Sequence, residues 1–314
     1  MLLTVTMNPS VDISYQLESF LIDDVNRVDN VNKTAGGKGL NVTRVAHLLG
    51  THTLATGVLG GTIGMYITNQ LTETGISHDF FKIDQESRNC IAILHEDKQT
   101  EILESGPHLA EEEGNKFLAH FENILKKYEI SVLSISGSLP KGLTFDIYNQ
   151  LIYKANKEGI PVILDTSGST LENVLNDSTL RITAIKPNSD ELSALEKQKL
   201  SDDPEQWQDI LLSPRYQNCE WVIVSRGSRG AFAKHNQDFY HVTIPKIKVA
   251  NPVGSGDATV AGIATALEKN ASPEELLKIA MTAGILNTLE KGTGYVNPER
   301  FDGYFDKVQV VKVN

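Results

Sequence analysis

The sequence predicts an α/β fold in which a mostly parallel central sheet carries helices on both faces and a small separate β-sheet stands off it. Three observations carry that expectation. Short β-branched runs alternate with helical patterns along most of the 314 residues, which is the rhythm of βαβ units. Two segments, residues 11–35 and 90–103, break the rhythm with alternating apolar and polar side chains and a hairpin pattern. No tandem repeat, low-complexity tract or Pro-rich linker interrupts the chain, whose length is ample for one large core.

The elements follow in order. "LLTVTM" (2–7) reads as the first strand. Val42, Val45, Ala46 and Leu49 recur at i, i+3, i+4 and i+7, which predicts a helix from about Leu40. "TLATGV" (53–58) is the next strand, followed by a helix near 63–74. "SVLSIS" (131–136), a helix near 144–158 and "PVILD" (161–165) repeat the unit, and "RITAI", "WVIVS" and helices after 255 and 272 continue it. In the interruptions, "VDISYQL" and "VNRVDNV" alternate without a helix between them, and "CIAILHEDKQTEIL" is two strands around a polar turn. These predict a small sheet from residues 11–35 and 85–105, set against a body of residues 1–10, 36–84 and 106–314. A sheet of few strands buries little alone, so this one is expected to cover a cleft, a partner subunit, or both.

Composition narrows the function classes. The chain has 29 basic and 40 acidic residues, net −11, and no Lys- or Arg-rich run, which argues against nucleic-acid and membrane partners. Any anionic ligand must then be held by local cations and backbone N–H groups against a negative overall field. Cys90 and Cys219 are the two cysteines. They make no disulfide framework and fit no metal-type spacing, as expected in a reducing compartment. The N-terminal "MLLTVTMNPSVD" lacks the charge and apolar run of a signal peptide, so a soluble cytoplasmic protein is expected.

Several short motifs admit two readings each. In "NPVGSGDATVAG" (251–262), Asp257 either caps the helix that follows or acts on a ligand, with Gly254, Ser255 and Gly256 offering bare N–H groups to an anion. In "AGGKGLNVTRVAHLLG" (35–50), Gly36, Gly37 and Gly39 either make a tight strand-to-helix turn with a solvated Lys38 or let the backbone approach a ligand beside Asn41. The spacing fits neither a Walker A loop nor G-x-G-x-x-G. Asp12, in "TMNPSVDIS", follows the first strand at the end where parallel sheets bind ligands, and suits a turn as well as sugar hydroxyls. Asn188 and Glu191, in "ITAIKPNSDEL", fit a capping box and equally a water-mediated magnesium site. Ser225, Gly227 and Gly230, in "WVIVSRGSRGAFA", suit a hairpin loop or a nucleotide edge. Arg27 and Arg88 lie in the two interrupting segments, where they are either solvated or grip a phosphate.

The order of these elements is more specific than any one of them. G-G-K-G-x-N, "SISGSLPKG", "LDTSG", K-P-N-x-x-E, S-x-G-x-x-G and G-S-G-D, spread over essentially the whole chain, resemble the PfkB carbohydrate kinase family, whose fold is called ribokinase-like. "TMNPSVD", "LDTSG" and "NPVGSGDAT" resemble its hexose-phosphate branch. The resemblance implies an ATP- and magnesium-dependent sugar-phosphate kinase. The substrate it favours is D-tagatose 6-phosphate, phosphorylated at the C1 hydroxyl in lactose or galactose breakdown, with the phosphofructokinase reactions as alternatives and a non-catalytic sugar-phosphate sensor as a remote one. By the same resemblance Asp257 is the catalytic base, kept ionised by its helix N-terminus, and Gly254, Ser255 and Gly256 form the anion hole. Asp12, Gly36, Gly37, Lys38 and Asn41 hold the sugar, and Arg88, Arg27 and Ser138 its phosphate. Ser225, Gly227, Gly230 and Asn287 line ATP, and Lys186, Asn188 and Glu191 face its phosphates and Mg2+. Asn251 stands where many relatives carry an aspartate of a monovalent-cation site, which puts potassium activation in doubt. The interrupting segments correspond to a β-lid, through which a homodimer is expected.

Overall fold

The computed structural model describes residues 1–96, 98–200 and 204–313. In chain order its strands are β1 (Leu2–Thr6), β2 (Ser10–Gln16), β3 (Val31–Gly36), β4 (Thr53–Gly60), β5 (Ser77–His78), β6 (Phe81–Ile83), β7 (Arg88–His95), β8 (Lys98–Leu103), β9 (Val132–Ser136), β10 (Val162–Asp165), β11 (Ile182–Ile185), β12 (Cys219–Ser225), β13 (Ala231–His235), β14 (Asp238–Thr243) and β15 (Gln309–Val313). The α-helices are α1 (Lys38–Leu48), α2 (Gly61–Glu73), α3 (Glu111–Lys127), α4 (Asp146–Lys157), α5 (Gly168–Leu175), α6 (Ser189–Leu195), α7 (Pro204–Leu211), α8 (Ser255–Glu268), α9 (Pro273–Thr288) and α10 (Phe301–Phe305).

The large sheet runs β15-β14-β13-β12-β11-β10-β9-β1-β4-β5, with β6 also paired to β4. It is parallel from β12 through β1 to β5, and its far edge turns antiparallel from β12 to β15. β1 is buried at every position, and its side chains divide between two cores by the period of two. Leu3 and Val5 join Phe117, Phe121, Tyr148 and Trp207 on one face, while Leu2 joins Val45, Ile263 and Leu277 on the other. Buried strands of this kind read as near-continuous apolar runs, which is why the body of the fold is legible in the sequence.

The second sheet has the order β3-β2-β7-β8, with β2 parallel to β7 and both outer pairs antiparallel. The tip of the β7–β8 hairpin, Asp97, lies outside the described residues. Val11 and Ile13 of this sheet pack with Leu59, Ile67 and Leu71, so its inner end is anchored to the body. Its β8 carries Ile102 and Leu103 in the open, and the connection from β2 to β3 carries Leu21, Ile22 and Val25 there as well, Ile22 at 87 % exposure.

Two boundaries differ from the expected ones. Helix α1 starts at Lys38 rather than near Leu40, because Gly37 takes φ 96° as its cap and the Asn41 N–H already bonds Gly37 O at 3.0 Å. Asp12 lies inside β2 rather than in a turn, paired in register with Thr34 and Cys90.

Candidate active site

A cavity of about 350 Å³ opens between the C-terminal ends of the parallel strands and the small sheet, and Asp12, Lys38, Asn41, Arg88, Gly254 and Asp257 line it. A second hollow of about 270 Å³ shares Lys38 and Arg88 with it and is lined further by Asn8, Ser136, Ser138 and Thr166. This is the rim at which open α/β sheets collect ligands, because strand ends and helix N-termini converge there.

Asp257 sits in the first turn of α8, 7 % exposed. Gly254 caps that helix in the left-handed region at φ 81°, and no side chain bonds the cap. The carboxylate instead receives the Asn41 Nδ2–H, at 2.8 Å from its Oδ2, so capping is not what this side chain does. The Ala258 N–H reaches Gly254 O at 2.9 Å, while Ser255 N makes only a 3.3 Å turn contact to Pro252 O. The N–H groups of Gly256 and Asp257 are thus the ones the helix geometry leaves for a ligand. The helix terminus does not keep the carboxyl in its ordinary range, as the sequence suggested. Burial, and next the negative Asp165, push it up to about 7, against the Asn41 hydrogen bond, Lys38 and Lys186. Desolvation outweighs the helix dipole because the charge has left water altogether, whereas the dipole supplies only partial charges.

Asp165 ends β10 within the D-T-S-G stretch and had no role assigned from sequence. It is buried between two lysines, with Oδ2 3.7 Å from Lys38 Nζ and Oδ1 4.0 Å from Lys186 Nζ. Lys38, at the start of α1 with its side chain 42 % exposed, is therefore paired rather than only solvated: the adjacent Asp165 raises its pKa above the ordinary value. Lys186 is 6 % exposed, and its Nζ stands 3.1 Å from where a β-carbon on Gly256 would be. Two ammonium groups and the free N–H groups of α8 thus face one small volume beside the Asp257 carboxylate.

On the other wall, Asp12 accepts the Ser10 hydroxyl at 2.6 Å. Burial raises its pKa, against the Ser10 hydroxyl, the Gly37 N–H, Arg44 and Arg88. Gly36 has to be glycine, since a β-carbon there would fall 2.0 Å from the Asp12 carboxyl carbon. Arg88 Nε donates to Asn8 O at 3.2 Å and Nη1 to Glu104 O at 3.0 Å, which fixes the guanidinium at the junction of the two cavities. Ser138 lines the smaller cavity with it. Arg27 is exposed in the segment between β2 and β3 and is not among the residues lining either cavity, so the single chain does not bring it to the site.

At the remaining positions the fold contains the more local alternative. Asn188 caps α6 by accepting the Glu191 N–H at 2.8 Å, and Glu191 Oε2 accepts the Asn188 N–H at 2.9 Å. This spends one oxygen of each side chain and leaves the other Glu191 oxygen available. Magnesium keeps most of its waters and takes one or two carboxylates besides phosphate oxygens; with the Asn188 side-chain carbonyl already used by the cap, the free Glu191 oxygen is what the pair offers to the water shell of that ion. Among the described residues no cluster of three or more His, Cys, Asp or Glu forms a direct metal site. Ser225 ends β12 beside Asn188, and Gly227 and Gly230 shape the turn that follows. Asn287 is fully buried and does not line a pocket wall directly: its Nδ2 donates to Val253 O at 2.8 Å and its Oδ1 accepts the Gly294 N–H at 2.9 Å. It braces the loop before α8 from behind. Asn251 Nδ2 donates to Lys291 O at 3.1 Å and Thr293 Oγ1 at 3.3 Å, so an amide donor stands against these oxygens.

A buried carboxyl group of raised pKa beside a helix N-terminus, cations across the cavity and a small sheet over it make a site suited to group transfer on an α/β scaffold. The sequence matches the pfkB family carbohydrate kinases over residues 5–300, and the chain belongs to that family. It is 52 % identical over 313 residues, the whole of both chains, to a tagatose-6-phosphate kinase of Staphylococcus epidermidis. Two structures of phosphofructokinase-2 from Escherichia coli are also similar. The complex with fructose-6-phosphate matches at TM-score 0.87 and 27 % identity, and the complex with potassium at 0.86 and 28 %, each covering 97 % of this chain and 98 % of the other. The chain is accordingly a PfkB carbohydrate kinase with the ribokinase-like α/β fold.

Proposed function

We propose that the chain transfers the γ-phosphoryl group of ATP to the C1 hydroxyl of D-tagatose 6-phosphate, giving D-tagatose 1,6-bisphosphate and ADP. The observation that carries the chemistry is Asp257, a carboxylate buried at a helix N-terminus with its pKa pushed up to about 7, where a general base works best near neutral pH. The substrate rests on the 52 % identity to the Staphylococcus epidermidis kinase.

In this reading Asp257 takes the proton of the C1 hydroxyl as its oxygen attacks the γ-phosphorus, and the bond to the ADP oxygen breaks. Phosphoryl transfer through a loose transition state asks the protein mostly for alignment and charge stabilisation. The N–H groups at the start of α8, with Lys38 and Lys186, supply it. Magnesium, held through water by Asn188 and Glu191, would neutralise the nucleotide phosphates. Asp12 with the Gly36–Gly37 backbone orients the sugar, and Arg88 with Ser138 takes its 6-phosphate. Ser225, Gly227 and Gly230 flank the nucleotide. Among the described residues no helix is long and apolar enough to cross a membrane, and we assign the protein to the cytoplasm. The exposed apolar side chains of the small sheet support a homodimer formed through that sheet, which would serve as a lid over the site and carry Arg27 toward a neighbouring one.

The test is kcat/KM for tagatose 6-phosphate, fructose 6-phosphate and fructose 1-phosphate in one ATP- and magnesium-dependent coupled assay. Tagatose 6-phosphate is expected to lead, and Asp257→Asn is expected to lower turnover at least about a hundredfold. A lead for either fructose phosphate would move the chain to that phosphofructokinase activity, and turnover of none would leave a sugar-phosphate sensor.

A further inference from the structure

Arg44 lies within the 35–50 stretch but has no role assigned from sequence, yet its guanidinium reaches three separate parts of the site. It lies on α1, one turn past Asn41. Nη1 donates to Asn41 Oδ1, Thr293 O and Gly294 O, each at 3.2 Å, and Nη2 donates to Ala35 O. The first contact settles an orientation. A guanidinium only donates, so the Asn41 atom facing it has to be the carbonyl oxygen. The other end of the amide, the NH2, is then the end that meets Asp257 Oδ2 at 2.8 Å. With Arg44 absent, only the carboxylate itself would hold the amide this way round, and the amide oxygen could then turn to accept from a protonated Asp257 instead.

We infer that Arg44 is the positioning residue of the catalytic base: through Asn41 it directs an N–H donor at Asp257, and through Thr293, Gly294 and Ala35 it joins the anion-hole loop to the glycine loop under the sugar. The inference rests on Asp257 being the base. Packing around the junction supports it independently. Gly294 has φ +66°, and a β-carbon there would lie 2.6 Å from Asn41 Oδ1 and 2.7 Å from Arg44 Nη1. The same loop closes on the cap of α8, since a β-carbon on Gly254 would lie 2.7 Å from Thr293 Cγ2 and 3.0 Å from Gly294 N. One side chain therefore sets the donor to the base and the spacing of the loop beside the anion hole.

The groups facing Asp257 are Asn41 and Lys38 from α1, Asp165 from the end of β10 and Lys186 after β11, with the Arg44 charge also within electrostatic reach. Of these, Asn41 and Arg44 hold the proton affinity of Asp257 down together, so removing Arg44 raises it twice over, by loss of a positive charge and by release of the amide.

The experiment is the pH profile of kcat/KM for Arg44→Met, Asn41→Ala, the double variant and Gly294→Ala, with Asp257→Asn as control. Arg44→Met is expected to lower kcat about tenfold or more and to move the acid limb up by roughly one pH unit, the size of one lost hydrogen bond to a charged group. Asn41→Ala is expected to move the limb in the same direction. The double variant should move it by clearly less than the sum, because the two residues act through one contact. Gly294→Ala keeps the arginine and the charge and should reproduce the direction of the shift, which covers the case in which Arg44→Met fails to fold. An unmoved limb in both Arg44→Met and Gly294→Ala, or full additivity in the double variant, overturns the inference. Asp257→Asn retaining both near-normal turnover and the acid limb would instead overturn the base assignment on which it rests.

Discussion

At the scale of single residues, the site turns on how two buried carboxylates share their neighbours. Asp257 is pushed up to about 7, chiefly by burial and then by Asp165. With Asp257 as the proposed base, which must be deprotonated to act, kcat/KM is expected to fall as pH drops through about 7 and to level off above it. Asp165→Asn removes the negative charge but not the burial, so the limb should move to lower pH while turnover drops because Lys38 and Lys186 lose their shared partner. A pH–rate series on the two proteins checks both, and a limb that rises or stays fixed in Asp165→Asn contradicts the electrostatic account. The sequence made Asp257 legible through its glycines and Asp12 through its place after a strand. It could not reveal the raised pKa, which depends on Asp165 being 92 residues away in the chain and adjacent in space. Nor did any signal mark Arg44: an arginine between Asn41 and His47, beside the apolar stripe of α1, reads as a solvated residue until the loop at 293–294 is seen to close over it.

At the scale of elements, the mouth of α8 is shaped by α9. Asn287 ties the loop before α8 to the loop after α9, with one bond to Val253 O and one from the Gly294 N–H. Asn287→Ala strands the buried Gly294 N–H, which typically costs about 1–3 kcal/mol, and takes the donor from the part-buried Val253 O. The expected outcome is a lowered Tm together with a fall in kcat, read by thermal unfolding and by the coupled assay. A lowered Tm with unchanged kcat would make Asn287 a purely structural brace. The legibility of elements follows the same division. Buried parallel strands announce themselves as apolar runs, and α1 shows its period of 3.6 residues. The placement of β2 and β3 beside β7 is a long-range pairing that alternation alone cannot specify. At Asn188 the pattern fitted two structures equally, and the capping box proved to be present without removing the pair from reach of a hydrated ion.

At the scale of the whole molecule, two expectations follow from surface and charge. Ile22, 87 % exposed in the connection between β2 and β3, and Ile102, 54 % exposed on β8, are large apolar side chains of the kind an interface covers. Changing both to aspartate should convert a dimer to a monomer in sedimentation, and a chain that is monomeric before the change refutes the lid-mediated dimer. The second expectation concerns stability. The Asp257 carboxyl has an ordinary value of 3.8 free of the fold and is pushed up to about 7 within it. Between those values the folded protein holds a proton that the unfolded chain has released, so stability declines as pH rises across the window, and the full penalty stands above 7. Asp257→Asn carries no such charge. Its Tm advantage over the parent should be near zero at pH 4 and reach several degrees at pH 8, the signature of a site whose function costs stability. A Tm difference that does not change with pH would contradict the raised value.

The bond between Asn41 and Asp257 joins residues 216 positions apart, and that separation bears on how the protein is made. A ribosome adds roughly 5–20 residues per second, so the glycine loop emerges ten seconds or more before the base it will hold. No nascent chain short of α8 can have phosphoryl-transfer activity, however well its first half has folded. Newly made kinase therefore gains activity in one late step, with the closing of its C-terminal third onto its N-terminal strand.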